Sequence, residues 1–421
     1  MFNKIFHGYK IFNIDKNDND YLNIFKEYYM KKTNRWLILL AAILTNLALG
    51  SGYAWSVYQQ ALLAENPTWA ITQTSLAYSI SFAMVPLGMI LFGKMVDNRQ
   101  VKKVVFIGGV LFGLGMFTTG FAKSIPMLYL SYGILAGLGI GAGYGAATSA
   151  GVKWFPDKKG MAGGLTAAGF GSGAIILAPV ANSLIEKYGI STTFKIMGIA
   201  LFLVIIIASF VMKEAPIVEN AGQVSLDSSD KTWNGMVKEG KFWLLWAIYV
   251  LAAVAGMMVI GHAANIATDY ELGKPALIVM VVGLSNTLGR IAWGSISDKV
   301  GRYKTVILMF IASAIGLVLV YLNPQLGSWS AVVGLVLIAS SFGGFLGSYP
   351  GITAENWGAK NAGSNYGFMF TAYGVAAIVG PSLASNIKTS SGSYGLAFVI
   401  SAAMSIVGLV LMISYLKTNK K

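Results

Sequence analysis

The sequence contains no cysteine and only two histidines, His7 and His262, in 421 residues. Disulfides, thiolate metal sites and cysteine nucleophiles are therefore excluded, and a multi-histidine metal centre is not expected. Charge is scarce: 11% of the residues carry it, where soluble domains have about 25%. Acids are scarcest, with 17 Asp and Glu against 31 Lys and Arg. The spans also lack a His-Glu-x-x-His, a Walker loop and any pair of carboxylates. No metal, no cofactor and no catalytic residues are expected, and the chain does not read as an enzyme.

What is present suits a bilayer. Hydrophobic residues make up 55% of the sequence. The net charge of +14 does not indicate nucleic acid, because the cations sit in short connections between apolar runs rather than in a binding motif. Apolar runs of roughly 20 residues, enough to cross a membrane, begin near Trp36, Thr72, Lys103, Met127, Met161 and Phe194. After a polar stretch, six more begin near Phe242, Pro275, Lys304, Trp329, Ala362 and Tyr394. The pattern predicts an all-α integral membrane protein of twelve transmembrane helices. The expected divisions are a polar tail (1–35), a six-helix bundle (36–212), a central loop (213–241), a second six-helix bundle (242–416) and a short tail (417–421). The first tail lacks the apolar core of a signal peptide.

Loop charge sets the expected orientation, since short loops rich in Lys and Arg stay cytosolic. One alternate set of connections holds Lys94, Arg99, Lys102, Lys103, Lys153, Lys158, Lys159, Lys213, Lys231, Lys238, Lys241, Lys299, Arg302, Lys304 and Lys360. The other set holds only Lys123, Lys187, Lys195, Lys274 and Lys388. A multi-pass protein of the cell membrane with both termini in the cytosol is expected.

The two halves echo each other. Gly93-Lys94-Met95-Val96-Asp97 follows the second run, and Gly294-Ser295-Ile296-Ser297-Asp298 follows the eighth, about 200 residues later. Pro179 and Pro381, and Trp154 and Trp357, repeat at nearly the same spacing. This construction resembles the major facilitator superfamily, whose most specific short signature is a Gly-x-x-x-Asp…Gly-Arg loop. The second copy continues to Gly301-Arg302, whereas the first keeps its charge but lacks the glycine. Gly93, Asp97, Gly294, Asp298 and Arg302 are the candidates for this loop. Glycine permits the turn, the aspartate is expected to cap a neighbouring helix, and the basic residues hold the loop in the cytosol. Four-residue glycine spacings, Gly133/Gly137/Gly141 and Gly169/Gly173, let helix backbones approach closely.

Arg290 interrupts the eighth run. A guanidinium at membrane depth costs at least a few kcal/mol and should face protein or a cavity. Eight residues, about 12 Å of helix, separate it from Asp298. No Asp or Glu stands at comparable depth, so it reads as a receptor for a carboxylate. Asn286 lies one helical turn earlier on the same face. In the eleventh run Tyr366, Phe370 and Tyr373 form an aromatic stripe, and Tyr373 can donate to a carboxylate. Tyr129 and Tyr349 complete the candidate lining. Tyr53, Trp55, Tyr58 and Tyr132 are further span aromatics that interface preference also explains. His262 is the one histidine within a run and is the candidate proton carrier.

Asn286-Thr287-Leu288-Gly289-Arg290 through Gly301-Arg302, with Asn365-Tyr366-Gly367-Phe368, resembles the oxalate/formate antiporter family, which includes bacterial monocarboxylate transporters. The resemblance implies that Arg290 binds the substrate carboxylate. The oxalate exchanger carries a lysine seven residues after its Tyr-Gly-Phe tyrosine, and Tyr373 stands there in this chain. The coupling aspartate of animal monocarboxylate transporters corresponds to Asn286. One cation and a phenol suit a monoanion better than a dianion. The expectation is a monomeric secondary transporter taking a small carboxylate such as lactate or pyruvate with a proton; the alternative is an oxalate/formate exchanger.

Overall fold

The structure, a computed structural model, describes residues 34–155, 159–215, 230–358 and 361–418. The tail up to residue 33, most of the central loop, Lys158, Lys360 and residues 419–421 lie outside the described residues, as does the side chain of Asp298. A bilayer core offers no water to satisfy backbone groups, so each crossing segment must satisfy its own, as a helix does. Among the described residues, eleven helices are long and apolar enough to cross. One of them, Lys159–Val211, has 53 residues, about 80 Å of helix against a hydrocarbon core of about 30 Å. It is two spans, broken at Gly189 with φ 74 and ψ 168. Glycine takes that left-handed φ without steric cost. Glu65 supplies the cap for the second piece, accepting from the Ile190 N–H at 2.9 Å.

Among the described residues the spans therefore number twelve: α1 (Arg35–Glu65), α2 (Ile71–Asp97), α3 (Val101–Thr119), α4 (Ile125–Lys153), α5 (159–188), α6 (190–211), α7 (Gly240–Asp269), α8 (Pro275–Val300), α9 (Arg302–Tyr321), α10 (Ser328–Trp357), α11 (Ala362–Met369 and Thr371–Ser391) and α12 (Gly395–Thr418). Large apolar side chains such as Leu91, Ile207, Phe210 and Trp329 are exposed on the outside, as a lipid-facing surface requires. Between the halves, α2 packs on α11 and α5 on α8. The sequence repeat relates α2 to α8 and α5 to α11, so each seam is the image of the other.

The fourth span shows why its glycines are there. A Cβ on Gly137 would strike Ser81 of α2, one on Gly139 the backbone of Phe112 in α3, and one on Gly141 the Val85 carbonyl. Over Tyr129–Ala136 the same span is a π-helix, which changes the direction of its side chains relative to an α-helical reading.

The two signature loops differ. In the second, Gly301 has φ 89, and Arg302 pairs with Glu355 of α10 at 3.0 Å. In the first, Arg99 occupies the left-handed region with φ 59, at a cost of about 1 kcal/mol. Its guanidinium donates to the Ala215 carbonyl at 2.8 Å, which holds the turn. The helix cap expected of Asp97 comes instead from Glu214, which accepts from the Val101 N–H at 2.7 Å. Glu214 reaches the start of α3 from the end of α6, where free N–H groups and the helix dipole favour a carboxylate.

Candidate functional site

Arg290 sits in the middle of α8, only 6% exposed. Its guanidinium crosses to the other half of the molecule and donates to the Ala167 carbonyl of α5 at 2.5 Å. Its Nε has no hydrogen-bond partner among the described residues. Around it, Tyr53 of α1, Val85 of α2, Tyr144 of α4, Phe170 of α5, Leu346 of α10, and Phe370 and Tyr373 of α11 enclose a small cavity. The space left is about that of one water molecule. Arg290 carries the one charge among these lining residues.

The wall opposite the guanidinium is aromatic. The helix of α11 is interrupted at Phe370, between Met369 and Thr371, and the Phe370 and Tyr373 rings stack at 4.5 Å. The Tyr373 and Tyr53 hydroxyls lie 3.3 Å apart, joining the halves. Tyr53 is wedged between Phe82, stacked at 5.3 Å, and Phe170, edge-on at 5.0 Å. One forked cation with phenol donors beside it can receive one carboxylate.

The other candidates fall into two groups. Asn286 is fully buried, packed against Gly343 of α10, and among the described residues neither polar atom of its amide has a partner. It lies one turn from Arg290 but does not line the cavity. Tyr349 is not in the cavity wall either: it stacks on Tyr249 at 3.7 Å and donates to the Leu245 carbonyl at 3.3 Å, one layer behind Phe370. Tyr129 lies near the far end of α4, half-buried within the π-helical segment, and is removed from the cavity. In its place α4 contributes Tyr144, and α1 contributes Tyr53. Sequence gave no reason to single out Tyr144, and Tyr53 was legible only as one of several span aromatics.

His262 is fully buried in the seam, toward the end opposite the basic loops. Its Nε2 lies 3.1 Å from the Pro381 carbonyl and 3.3 Å from the Ser75 hydroxyl of the other half. A carbonyl only accepts, so Nε2 carries a hydrogen, and Nδ1 of the neutral ring accepts from the Tyr394 hydroxyl at 3.3 Å. Around it runs a polar zipper that sequence did not reveal. Asn265 donates to Gln59 Oε1 at 2.6 Å, Gln59 Nε2 donates to Thr74 and Ser75 at 2.9 Å each, and Gln60 donates to Thr268 at 2.8 Å. These bonds tie α1 and α2 to α7 and close that end of the seam.

The chain is similar to known proteins in sequence and in fold. The family model described as Major Facilitator Superfamily matches residues 38–381 and 266–421. The chain is 30% identical over 347 residues to an uncharacterized MFS-type transporter, YhjX, of Escherichia coli (strain K12), covering 82% of this chain and 86% of that protein. It is 29% identical over 381 residues to the oxalate:formate antiporter of Oxalobacter formigenes, covering 90% of each. To monocarboxylate transporter 12 of Rattus norvegicus it is 27% identical over 381 residues, covering 81% and 77%. Among solved structures, a partially occluded inward-open form of the xylose transporter XylE from E. coli superposes with a TM-score of 0.73 at 14% identity, over 90% of this chain and 97% of that one. At that identity the likeness concerns the fold alone.

Proposed function

The chain belongs to the major facilitator superfamily and is a membrane transporter, and from that premise we propose that it carries a small monocarboxylate, of the lactate or pyruvate kind, together with a proton. One observation supports the choice above others: among the described residues Arg290 is the one charged side chain lining a buried cavity between the halves, with Nε unpartnered and phenols beside it rather than a second cation. Arg290 clamps the carboxylate. Tyr373, Tyr53 and Tyr144 offer hydroxyls to the rest of the polar head, and Val85, Leu346, Phe170 and Phe370 take the short alkyl part. A dianion would leave one charge uncompensated in a low-dielectric cavity, at a cost of several kcal/mol.

Alternating access follows from the seam. With the basic loops in the cytosol of the cell membrane, the Gln59–Asn265 zipper is the extracellular gate, and it is shut in this form. Release then proceeds toward the cytosol, and reopening outward requires the zipper to part. His262 sits within that gate, bonded across the seam to Ser75, which supports it as the group that takes up the coupled proton. The protein acts as a monomer in this scheme. The second reading, oxalate/formate-type exchange, draws on the 29% identity to the oxalate:formate antiporter over 90% of each chain.

Proteoliposomes separate the two. An inward proton gradient should drive labelled L-lactate uptake with nothing trapped inside. Uptake that ignores the gradient but requires internal oxalate or formate would replace symport with exchange.

A further inference from the structure

Tyr53 has unfilled space on two sides. One side is the Arg290 cavity. On the other, toward the zipper, lies a second gap lined by Ala174, Ile260, Ala263, Val279, Val282 and Gly283. Among the described residues Tyr53 is the one polar side chain lining this gap, which has no room for a water molecule. The ring is held from three directions, by Phe82, by Phe170 and by its hydroxyl contact with Tyr373, so it cannot simply swing aside. It forms a partition between a polar chamber and an apolar one.

We propose that Tyr53 sets the upper size limit of the transported acid, and that the apolar gap behind it is a tail pocket which this chain keeps shut. The inference rests on the carboxylate site proposed above. An acid anchored on Arg290 with its tail toward the zipper meets the face of the Tyr53 ring after a few carbons. With a small side chain at position 53, the cavity and the gap join into one slot walled by aliphatic side chains of α5, α7 and α8. Each additional methylene buried there is worth roughly fourfold in affinity. A six-carbon acid should therefore gain roughly fifty-fold relative to lactate.

The test is inhibition of labelled L-lactate uptake into proteoliposomes by straight-chain monocarboxylates of increasing length. The native protein should lose inhibition as the chain lengthens. Tyr53→Ala should bring hexanoate inhibition down roughly fifty-fold in concentration relative to unlabelled lactate, whereas Tyr53→Phe, which loses the hydroxyl offered to the polar head but keeps the ring between Phe82 and Phe170, should bind every acid more weakly and retain the native length cut-off. Adding Val282→Phe to Tyr53→Ala refills the pocket and should restore the native cut-off. If Tyr53→Ala does not run as a single species on size exclusion, Tyr53→Leu and Tyr53→Val take its place, with smaller gains expected.

An unchanged length profile in the folded variants overturns the proposal. So does a gain that Val282→Phe fails to reverse, because general loosening would then be its cause. Arg290→Ala tells this failure apart from failure of the site. If Arg290→Ala leaves native lactate uptake intact, the carboxylate site falls and the partition with it. If Arg290→Ala abolishes uptake while Tyr53→Ala leaves the cut-off unmoved, the partition alone falls.

Discussion

Asn265→Ala should shift the protein toward its outward-open form. The Asn265 amide donates across the seam to Gln59 at 2.6 Å, and Gln59 is fully buried and holds Thr74 and Ser75 as well. Removing the donor leaves Gln59 Oε1 unpaired only while the gate is closed, since water reaches it once the gate opens. An unsatisfied buried acceptor costs about 1–2 kcal/mol, so the open population should rise about 5- to 30-fold. The absence of cysteine makes the assay clean. Val279, 1% exposed and lining the gap behind the gate, is replaced by cysteine and labelled with a membrane-impermeant maleimide from the side opposite the basic loops. Labelling should accelerate 5- to 30-fold in Asn265→Ala. Asn182→Ala, which removes a bond to Glu186 within α5, should leave it unchanged. Equal or slower labelling in Asn265→Ala would refute the assignment of the zipper as the gate.

Two further outcomes follow from the same geometry. Tyr373→Lys places a second cation beside Arg290, so labelled oxalate uptake should appear while lactate uptake falls at least tenfold; a variant that still prefers lactate would contradict the charge-matching argument. At the basic end, burial pushes the Glu239 carboxyl up, but the Lys231 ammonium and the Trp357 indole N–H outweigh it and hold the group below its usual range. A lowered carboxyl pKa contributes stability above the ordinary value, lost as pH falls through the lowered one. Hydrogen exchange in segment 230–239, where Trp233 stacks on Phe368 at 4.3 Å, should therefore quicken below about pH 4. Glu239→Gln should remove that acid dependence, and its persistence would show that another group controls the segment.

The legible parts of the molecule were those where one residue type carries a large energy. Twelve spans could be counted because burying polar backbone in lipid is prohibitive, and only Gly189, inside an uninterrupted helical run, obscured the count in the structure. Arg290 stood out because a charge in an apolar run has few places to go. What escaped was position in space. Tyr129 stands fifteen residues, about 22 Å of helix, before Tyr144, the residue of α4 that lines the cavity, and hydropathy does not say at which depth of a span a site forms. Tyr53 and Tyr144 look like ordinary span aromatics until the fold brings α1, α4 and α11 together. Nothing in the sequence joins Asn265 to Gln59 or Gln60 to Thr268, and only packing brings each pair within bonding distance. Glu214 replaced Asp97 as a cap because the competition was settled by proximity in space, not along the chain.

The proposed transport scheme stands on Arg290 as the group that binds the carboxylate of the transported acid. The most direct measurement compares L-lactate uptake by native protein, Arg290→Lys and Arg290→Ala in proteoliposomes at matched, size-exclusion-verified loading. Truncating one member of a buried charge pair costs about 2–5 kcal/mol, so Arg290→Ala should lose at least about 30-fold in kcat/KM. Arg290→Lys, which keeps the charge without the fork, should fall between. Lactate uptake unaltered in Arg290→Ala would show that the acid is bound elsewhere.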